Sequence, residues 1–218
     1  MNYRRIKKAV ASAVLAKGWS RRVWLGVQTL PGQRPFRTWA AGRSWSEDGE
    51  DKVLLDLAGD ILESGFYVDV GANLPTKRSN TFRLHCRGMR GVCVEPNLEL
   101  AALYERVRPD DMVVCAAVGG APKVAMLQRF NFHVYSTCSE KEGRRLEEAQ
   151  ARMRTRLLRR SPVPMIPLSS LLVGLREEFA GPFFLLKTDT EGLDLEVLRS
   201  NDWSRDRPRY VLSESAGE

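Results

Sequence analysis

Five short apolar runs, each closed by an acidic residue, a glycine turn or both and separated by stretches with helical spacing, restrict this chain more than any other feature. They are Phe66–Val70, Gly91–Val94, Met112–Val118, Phe183–Lys187 and Arg209–Ser213. Strands apolar at nearly every position are buried on both faces, the pattern of a parallel sheet covered by helices rather than of a half-wet antiparallel one. The intervening segments supply the helices. Val53, Leu54, Leu57, Ala58 and Ile61 share one face of a helix over 51–62, which Ser64-Gly65 ends. Thr81–Arg87 reads as a second helix. Asn97 caps a third, with Leu100, Leu103, Tyr104 and Val107 at helical spacing. Leu168–Phe179 and Asp194–Arg199 complete the set.

The stretch between the third and fourth runs is less regular. Lys123–Tyr135 reads as an irregular hairpin. Ser139-Glu-Lys-Glu142 is a capping box that opens a charged helix to about residue 160, with Glu148 and Arg152 in the favourable order. Pro162, Pro164 and Pro167 stop it and flank an extended piece over 163–166. This helix is read as a solvated surface element, with a cover over an acceptor pocket as the alternative.

Residues 1–45 form a basic arm, and 46–218 the folded domain. From Met1 to Ser46 there are ten basic residues and no acidic one, so the net +7 leaves the rest of the chain at −3. Such an arm can hold RNA or touch an anionic membrane face; a solvated segment is the simpler reading. Within it Lys7–Leu15 is predicted helical, and Trp19, Trp24, Trp39 and Trp45 are expected to pack on the domain. The Ala-rich stretch after Lys8 is closed by Lys17 and is no signal peptide, and no apolar run is long enough for a transmembrane span. Cys86, Cys93, Cys115 and Cys138 form no Cys-x-x-Cys pair, and His85 and His133 are the only histidines. These cysteines are read as buried free thiols in a reducing, cytoplasmic setting, with no metal site.

In an open parallel sheet, ligands sit at the carboxyl ends of the strands. Asp69, Gly71, Glu95, Ala117, Asp189, Glu191 and Glu214 fall at those ends. The first turn, Asp69-Val-Gly-Ala-Asn73, lacks the Gly-x-Gly-x-x-Gly that lets backbone approach a pyrophosphate. A single glycine preceded by an acid suits a cationic ligand without phosphates. S-adenosylmethionine, with its ammonium, sulfonium, ribose and adenine, fits. Glu95 stands near the spacing, roughly 20 residues, of the acid that binds ribose hydroxyls in dinucleotide folds.

Further segments carry a resemblance: Phe66-Tyr-Val-Asp-Val-Gly-Ala-Asn73, Ser79-Asn-Thr81, Arg90-Gly-Val-Cys-Val-Glu-Pro-Asn97, Arg108-Pro-Asp-Asp111, Ala116-Ala-Val-Gly119, Tyr135-Ser-Thr137, Leu186-Lys-Thr-Asp-Thr-Glu-Gly-Leu-Asp194 and Asp202-Trp203 through Pro208. In this order, from about 45 to 215, the chain resembles the FkbM-type methyltransferase family. The resemblance implies an α/β, Rossmann-like methyltransferase fold with a mostly parallel sheet and S-adenosylmethionine as methyl donor. It also implies O-methylation of a small-molecule, sugar, glycan or natural-product acceptor. By the same resemblance Asp69, Gly71 and Asn73 line the methionine end of the donor, Glu95 holds the ribose, and Pro96, Asn97 and Ala117 border the adenine. Asp189 and Glu191 lie beside the transferred methyl. The usual sheet has seven strands, the last two an antiparallel hairpin; this sequence ends past the fifth, so either it is a fragment or this member lacks that edge.

Methylating an alcohol requires a group to take its proton. Asp189 is the first candidate, then Glu191 and His133. Glu191 is read equally as a helix cap, and Asp189 with Glu191 as a magnesium site is the weaker reading. Two other functions stand against the main one: an RNA methyltransferase using the basic arm, and a non-catalytic module that keeps the cofactor fold.

Overall fold

The computed structural model describes residues 7–9 and 44–216, with side chains over 44–213. In chain order it contains β1 (Lys7–Ala9), α1 (Glu50–Ala58), β2 (Phe66–Val70), α2 (Phe82–Cys86), β3 (Arg90–Val94), α3 (Leu98–Ala101), α4 (Tyr104–Val107), β4 (Met112–Val114), β5 (Ala117–Val118), β6 (Lys123–Phe130), α5 (Glu140–Glu148), α6 (Gln150–Met153), β7 (Leu157–Ile166), α7 (Leu168–Leu175), β8 (Phe183–Thr188), α8 (Asp194–Arg199) and β9 (Tyr210–Ala216).

The five runs read as strands form one parallel sheet in the order β9-β8-β2-β3-β4. The chain moves outward from β2 to β3 and β4, then returns to the other side of β2 for β8 and β9. Strand order therefore reverses between β2 and β8, the switch point where α/β sheets open a ligand crevice.

Alternation sorts the side chains into two cores. On one face Tyr67, Cys93, Leu185 and Leu212 pack with Leu54, Ala58 and Ile61 of the first helical segment, Leu84 of α2 and Tyr104 of α4. On the other face Val68, Val70, Val92, Val94, Leu186 and Val211 pack with Leu168, Leu171, Leu172 and Leu175 of α7 and Val197 of α8. Complete burial of one such leucine is worth about 1.5–3 kcal/mol, so both helix layers are held by area rather than by helix propensity.

Several expectations need correction. The run Met112–Val118 is not one strand. It breaks at Cys115-Ala116, and β5 joins a second sheet of order β5-β7-β6. The break turns Cys115 out to solvent, whereas Cys93 is buried and Cys86 and Cys138 are intermediate; all four thiols are free. The Lys123–Tyr135 hairpin is instead a single strand, β6, paired antiparallel with β7 from Lys123↔Met165 to Phe130↔Leu157. The charged helix stops at α6, where Arg154 takes a left-handed φ of 53°, and β7 begins at Leu157. Pairing with β6 buries Val163 and Met165 beside Ala125 and Leu127, and this tertiary gain outweighs the helical preference of the arginine-rich segment. Only half of the capping box at Ser139 forms: its Oγ accepts from the Glu142 amide at 3.2 Å, while the Ser139 amide donates to Thr137 Oγ1 at 2.9 Å and Arg145 holds the Glu142 carboxylate at 2.7 Å.

Of the arm, Lys7–Ala9 is strand rather than helix. It pairs antiparallel with β9 from Lys7↔Ala216 to Ala9↔Glu214, so the outer edge of β9 is paired there. The rest of the expected 7–15 helix, together with Trp19, Trp24 and Trp39, lies outside the described residues. Trp45 is buried, its ring edge-on to Phe82 with centroids 4.9 Å apart. No helix among the described residues is long and apolar enough to cross a membrane.

Candidate functional site

A cleft of about 1020 Å³, counting its open mouth, lies over the β2/β8 switch point. Three walls enclose it: the loop after β2, the turn after β6, and the loop after β8. Of the residues singled out from sequence, Gly71, Asn73, Glu95, Pro96, Ala117, His133, Asp189 and Glu191 line it.

The first turn is fixed by backbone. The amides of Gly71 and Ala72 both donate to the Val94 carbonyl at 3.0 Å, and that of Asp189 donates to Val70 at 3.0 Å. Gly71 has φ +73°, and a Cβ there would sit 1.9 Å from the Asp189 carbonyl oxygen, so the loops after β2 and β8 touch at a point only glycine allows. Asn73 follows in the left-handed region at φ 54°, which asparagine tolerates better than most residues. This conformation turns its amide onto Glu95 Oε2 at 2.8 Å.

Glu95 is 6% exposed, and its second oxygen accepts from the Asn97 amide at 2.8 Å. Burial raises its pKa from 4.5 to about 7, against the lowering effect of those two amides and of Lys187. Asn97 does not line the cleft. It caps α3, accepting from the Glu99 amide at 3.2 Å, and reaches the site only through its N–H to Glu95.

Asp69 is likewise not in the cleft lining. Its carboxylate, 1% exposed, accepts from Thr81 Oγ1 at 2.6 Å and pairs with Lys187 Nζ at 3.1 Å. The reason is register: Asp69 stands opposite Lys187 in the parallel pair, so both side chains project to the same face. Lys187, which sequence reasoning passed over, lines the cleft and donates to the Gly71 carbonyl at 3.0 Å. It also lies 3.9 Å from Asp189 Oδ2. Burial alone would lower its pKa, but Asp69 and Asp189 hold it well above the ordinary lysine value. A lysine and an aspartate, each interrupting an apolar strand, were the available signal for the pair.

A second missed group supports the same floor. Arg108 is completely buried. It donates to Asp111 at 2.7 Å, to the Tyr67 hydroxyl at 2.7 Å, to Thr81 Oγ1 at 3.0 Å and to Ser79 Oγ at 3.2 Å. Thr81 in turn donates its hydroxyl hydrogen bond to Asp69, so the guanidinium orients the carboxylate that holds Lys187.

The remaining walls carry the candidate proton acceptors. His133 sits in the turn 133–135 after β6, and burial with the nearby charges of Lys77 and Arg78 lowers its pKa below 6.5. Its imidazole is thus neutral near pH 7. Glu191 has φ 51°, and its carbonyl accepts from Thr137 Oγ1 at 2.8 Å, which ties the loop after β8 to the one after β6. The N-cap position of α8 is Leu193, so Glu191 does not occupy it. Cys138 lines the cleft, but burial pushes its thiol up to about 12. No α5 residue lines the cleft. Among the described residues no group of three or more His, Cys, Asp or Glu is placed to hold a metal.

Four buried polar atoms in this lining have no hydrogen-bond partner: Asn73 Oδ1, Asn80 Nδ2, His133 Nδ1 and Thr190 Oγ1. Buried polar groups are rarely left unsatisfied, because each costs about 1–3 kcal/mol. Four around one cleft mark it as shaped for a polar ligand.

No curated protein and no solved structure gives a match to the chain. The family model for the methyltransferase FkbM domain matches residues 69–217, from the aspartate of the first turn through the fifth parallel strand. The chain, with its mostly parallel Rossmann-like sheet and a polar cleft at the strand-order switch, belongs to the FkbM methyltransferase domain family.

Proposed function

We propose that this methyltransferase uses S-adenosylmethionine and transfers its methyl group to a hydroxyl oxygen of a sugar, glycan or natural-product acceptor. The observation that carries the reading is the set of four unpartnered buried polar atoms around a cleft whose floor includes Gly71 and Glu95. The donor set fits the molecule: Glu95 for ribose hydroxyls, Pro96 and Ala117 against the adenine, and Asn73 Oδ1 with the Asp189 carboxylate for the cationic end. When bound, S-adenosylmethionine supplies an electrophilic methyl on a good leaving group.

The chain's own residues then position the acceptor and receive its proton. Correct placement of two reactants is worth roughly 7–11 kcal/mol of barrier. His133 Nδ1 is the better proton acceptor, since it is buried, unpartnered and neutral near pH 7, whereas Asp189 lies near the Lys187 ammonium. His133→Gln is expected to lower kcat about 10²–10⁴-fold with affinity for S-adenosylhomocysteine unchanged. Asp189→Asn is expected to weaken S-adenosylhomocysteine binding as well. Calorimetry and single-turnover rates on the two variants decide the assignment. The reverse pattern would return the proton to Asp189.

Glu95 makes donor binding pH-dependent. With a folded value of about 7, its ionised share rises from about a tenth at pH 6 to about nine-tenths at pH 8. An ionised carboxylate is the stronger acceptor for ribose hydroxyls, so S-adenosylhomocysteine affinity is expected to rise up to about tenfold over that range. Glu95→Gln should flatten the profile. Stability runs the other way: between 4.5 and about 7 the folded state keeps a proton that the unfolded chain releases, so stability falls as pH rises through that window.

Cytoplasmic action follows from the same reading: the four thiols are free, and the donor is a cytosolic metabolite class. No resident metal enters the proposal.

A further inference from the structure

The loop between Asn73 and Thr81 does more than turn the chain. Asn80 is 4% exposed, lines the cleft, and leaves its Nδ2 donor without a partner. Lys77 and Arg78, on the same loop, line the same wall. Arg78 pairs with Glu47 at 2.9 Å, also at the cleft. Lys77 has no carboxylate within salt-bridge distance among the described residues. Across the cleft stands His133, which feels the field of both cations. The acids elsewhere in the lining are engaged: Glu95 by two amides, Asp189 lies beside Lys187, and Glu191 is not free either. This wall therefore offers a buried amide donor and an uncompensated positive charge beside the group that takes the acceptor's proton. A neutral acceptor would leave both unmet.

Resting on the methyltransferase reading above, we propose that the acceptor carries an anionic oxygen group, carboxylate or phosphate, held by Lys77 and Asn80 so that a neighbouring hydroxyl lies at His133. Charge complementarity sets the class. A planar amide N–H and a flexible ammonium suit oxygen anions of either geometry. A bound anion also offsets the repulsion between Lys77, Arg78 and a protonated His133, so recognition and proton transfer reinforce one another.

The test uses three matched probes, glucuronate, glucose 6-phosphate and glucose, titrated into the full chain loaded with S-adenosylhomocysteine. At least one anionic probe is expected to bind saturably and at least tenfold more tightly than glucose, with affinity falling as salt is raised. Which anion wins separates a carboxylate from a phosphate acceptor. Lys77→Met and Asn80→Leu are each expected to weaken that probe at least tenfold and to leave S-adenosylhomocysteine affinity within twofold. Lys77 is exposed, so its variant stays informative if the buried Asn80 substitution unfolds the protein. Glucose binding as tightly as both anions would overturn the proposal. So would loss of S-adenosylhomocysteine affinity in the two variants, which would give the donors to the methyl donor's own carboxylate. Anionic probe binding without any S-adenosylhomocysteine binding would keep this wall as an anion site and sink the donor assignment instead.

Discussion

Gly71→Ala is expected to abolish S-adenosylhomocysteine binding and to destabilise the fold by about 2–4 kcal/mol. Two costs combine. The backbone at φ +73° is one that a side chain rarely adopts, worth about 1 kcal/mol. The added Cβ would also lie 1.9 Å from the Asp189 carbonyl oxygen, which is backbone and cannot swing aside. Relief requires the loops after β2 and β8 to separate, which costs about 1–3 kcal/mol as overpacking. That separation displaces Asp189 and the Lys187–Gly71 contact together. A misplacement of about 1 Å at a reacting centre can cost roughly 100-fold in rate, so turnover should fall at least that far. Urea unfolding and calorimetry measure the two effects. A variant as stable as the parent that still binds S-adenosylhomocysteine would show that the two loops are not locked together.

The second large effect is expected at Arg108. Arg108→Met removes the cation from a buried network and leaves the buried Asp111 carboxylate without its guanidinium partner. Breaking a buried ion pair from one side costs about 3–5 kcal/mol, a large share of the 5–15 kcal/mol that ordinary domains possess, so roughly half the stability is at stake. Adding Asp111→Asn should restore part of it, since the orphaned charge goes while the amide oxygen can still accept from the Gly91 amide and the new NH2 can donate to the Tyr67 hydroxyl. Acid unfolding offers an independent readout. Burial would raise the pKa of Asp111, but Arg108 and His85 hold it down to about 2. The stability it contributes is therefore present above the ordinary aspartate value of about 4 and is lost as pH falls toward 2. Arg108→Met should lose this acid step, and a full-size step in the variant would place the pairing elsewhere.

The five parallel strands were legible because burial on both faces leaves an unbroken apolar run, and all five start within a residue of expectation. The end of the Met112–Val118 run was not, because its composition is uniform across a break that only a second sheet explains. β7 was unreadable for a related reason. Its partner β6 lies about 30 residues upstream, and a segment holding Arg159, Arg160, Pro162 and Pro164 carries no local sign of a ladder. At the site, residues placed by strand ends were found: Gly71, Glu95 and Asp189 all line the cleft. Asp69 was assigned to the ligand because its partner in register, Lys187, arrives from over 100 residues away. Lys77, Asn80 and His133 sit on turns whose direction no periodicity encodes, so only the folded chain brings them to one cleft.

The second sheet has a consequence for how much of this chain can vary. The excursion from β5 to β7 leaves and rejoins at one neck, where Ala117 pairs with Met165 and Val118 with Ile166. Whatever lies between contributes the His133 turn and the Thr137 tether, yet it sets none of the pairings that align the five parallel strands. Lengthening a closed segment costs only about 0.6 kcal/mol per doubling. Such a cassette can be resized with the register of the five strands intact, so on the proposed function the turn that faces the nucleophile can change while the sheet beneath it keeps its alignment.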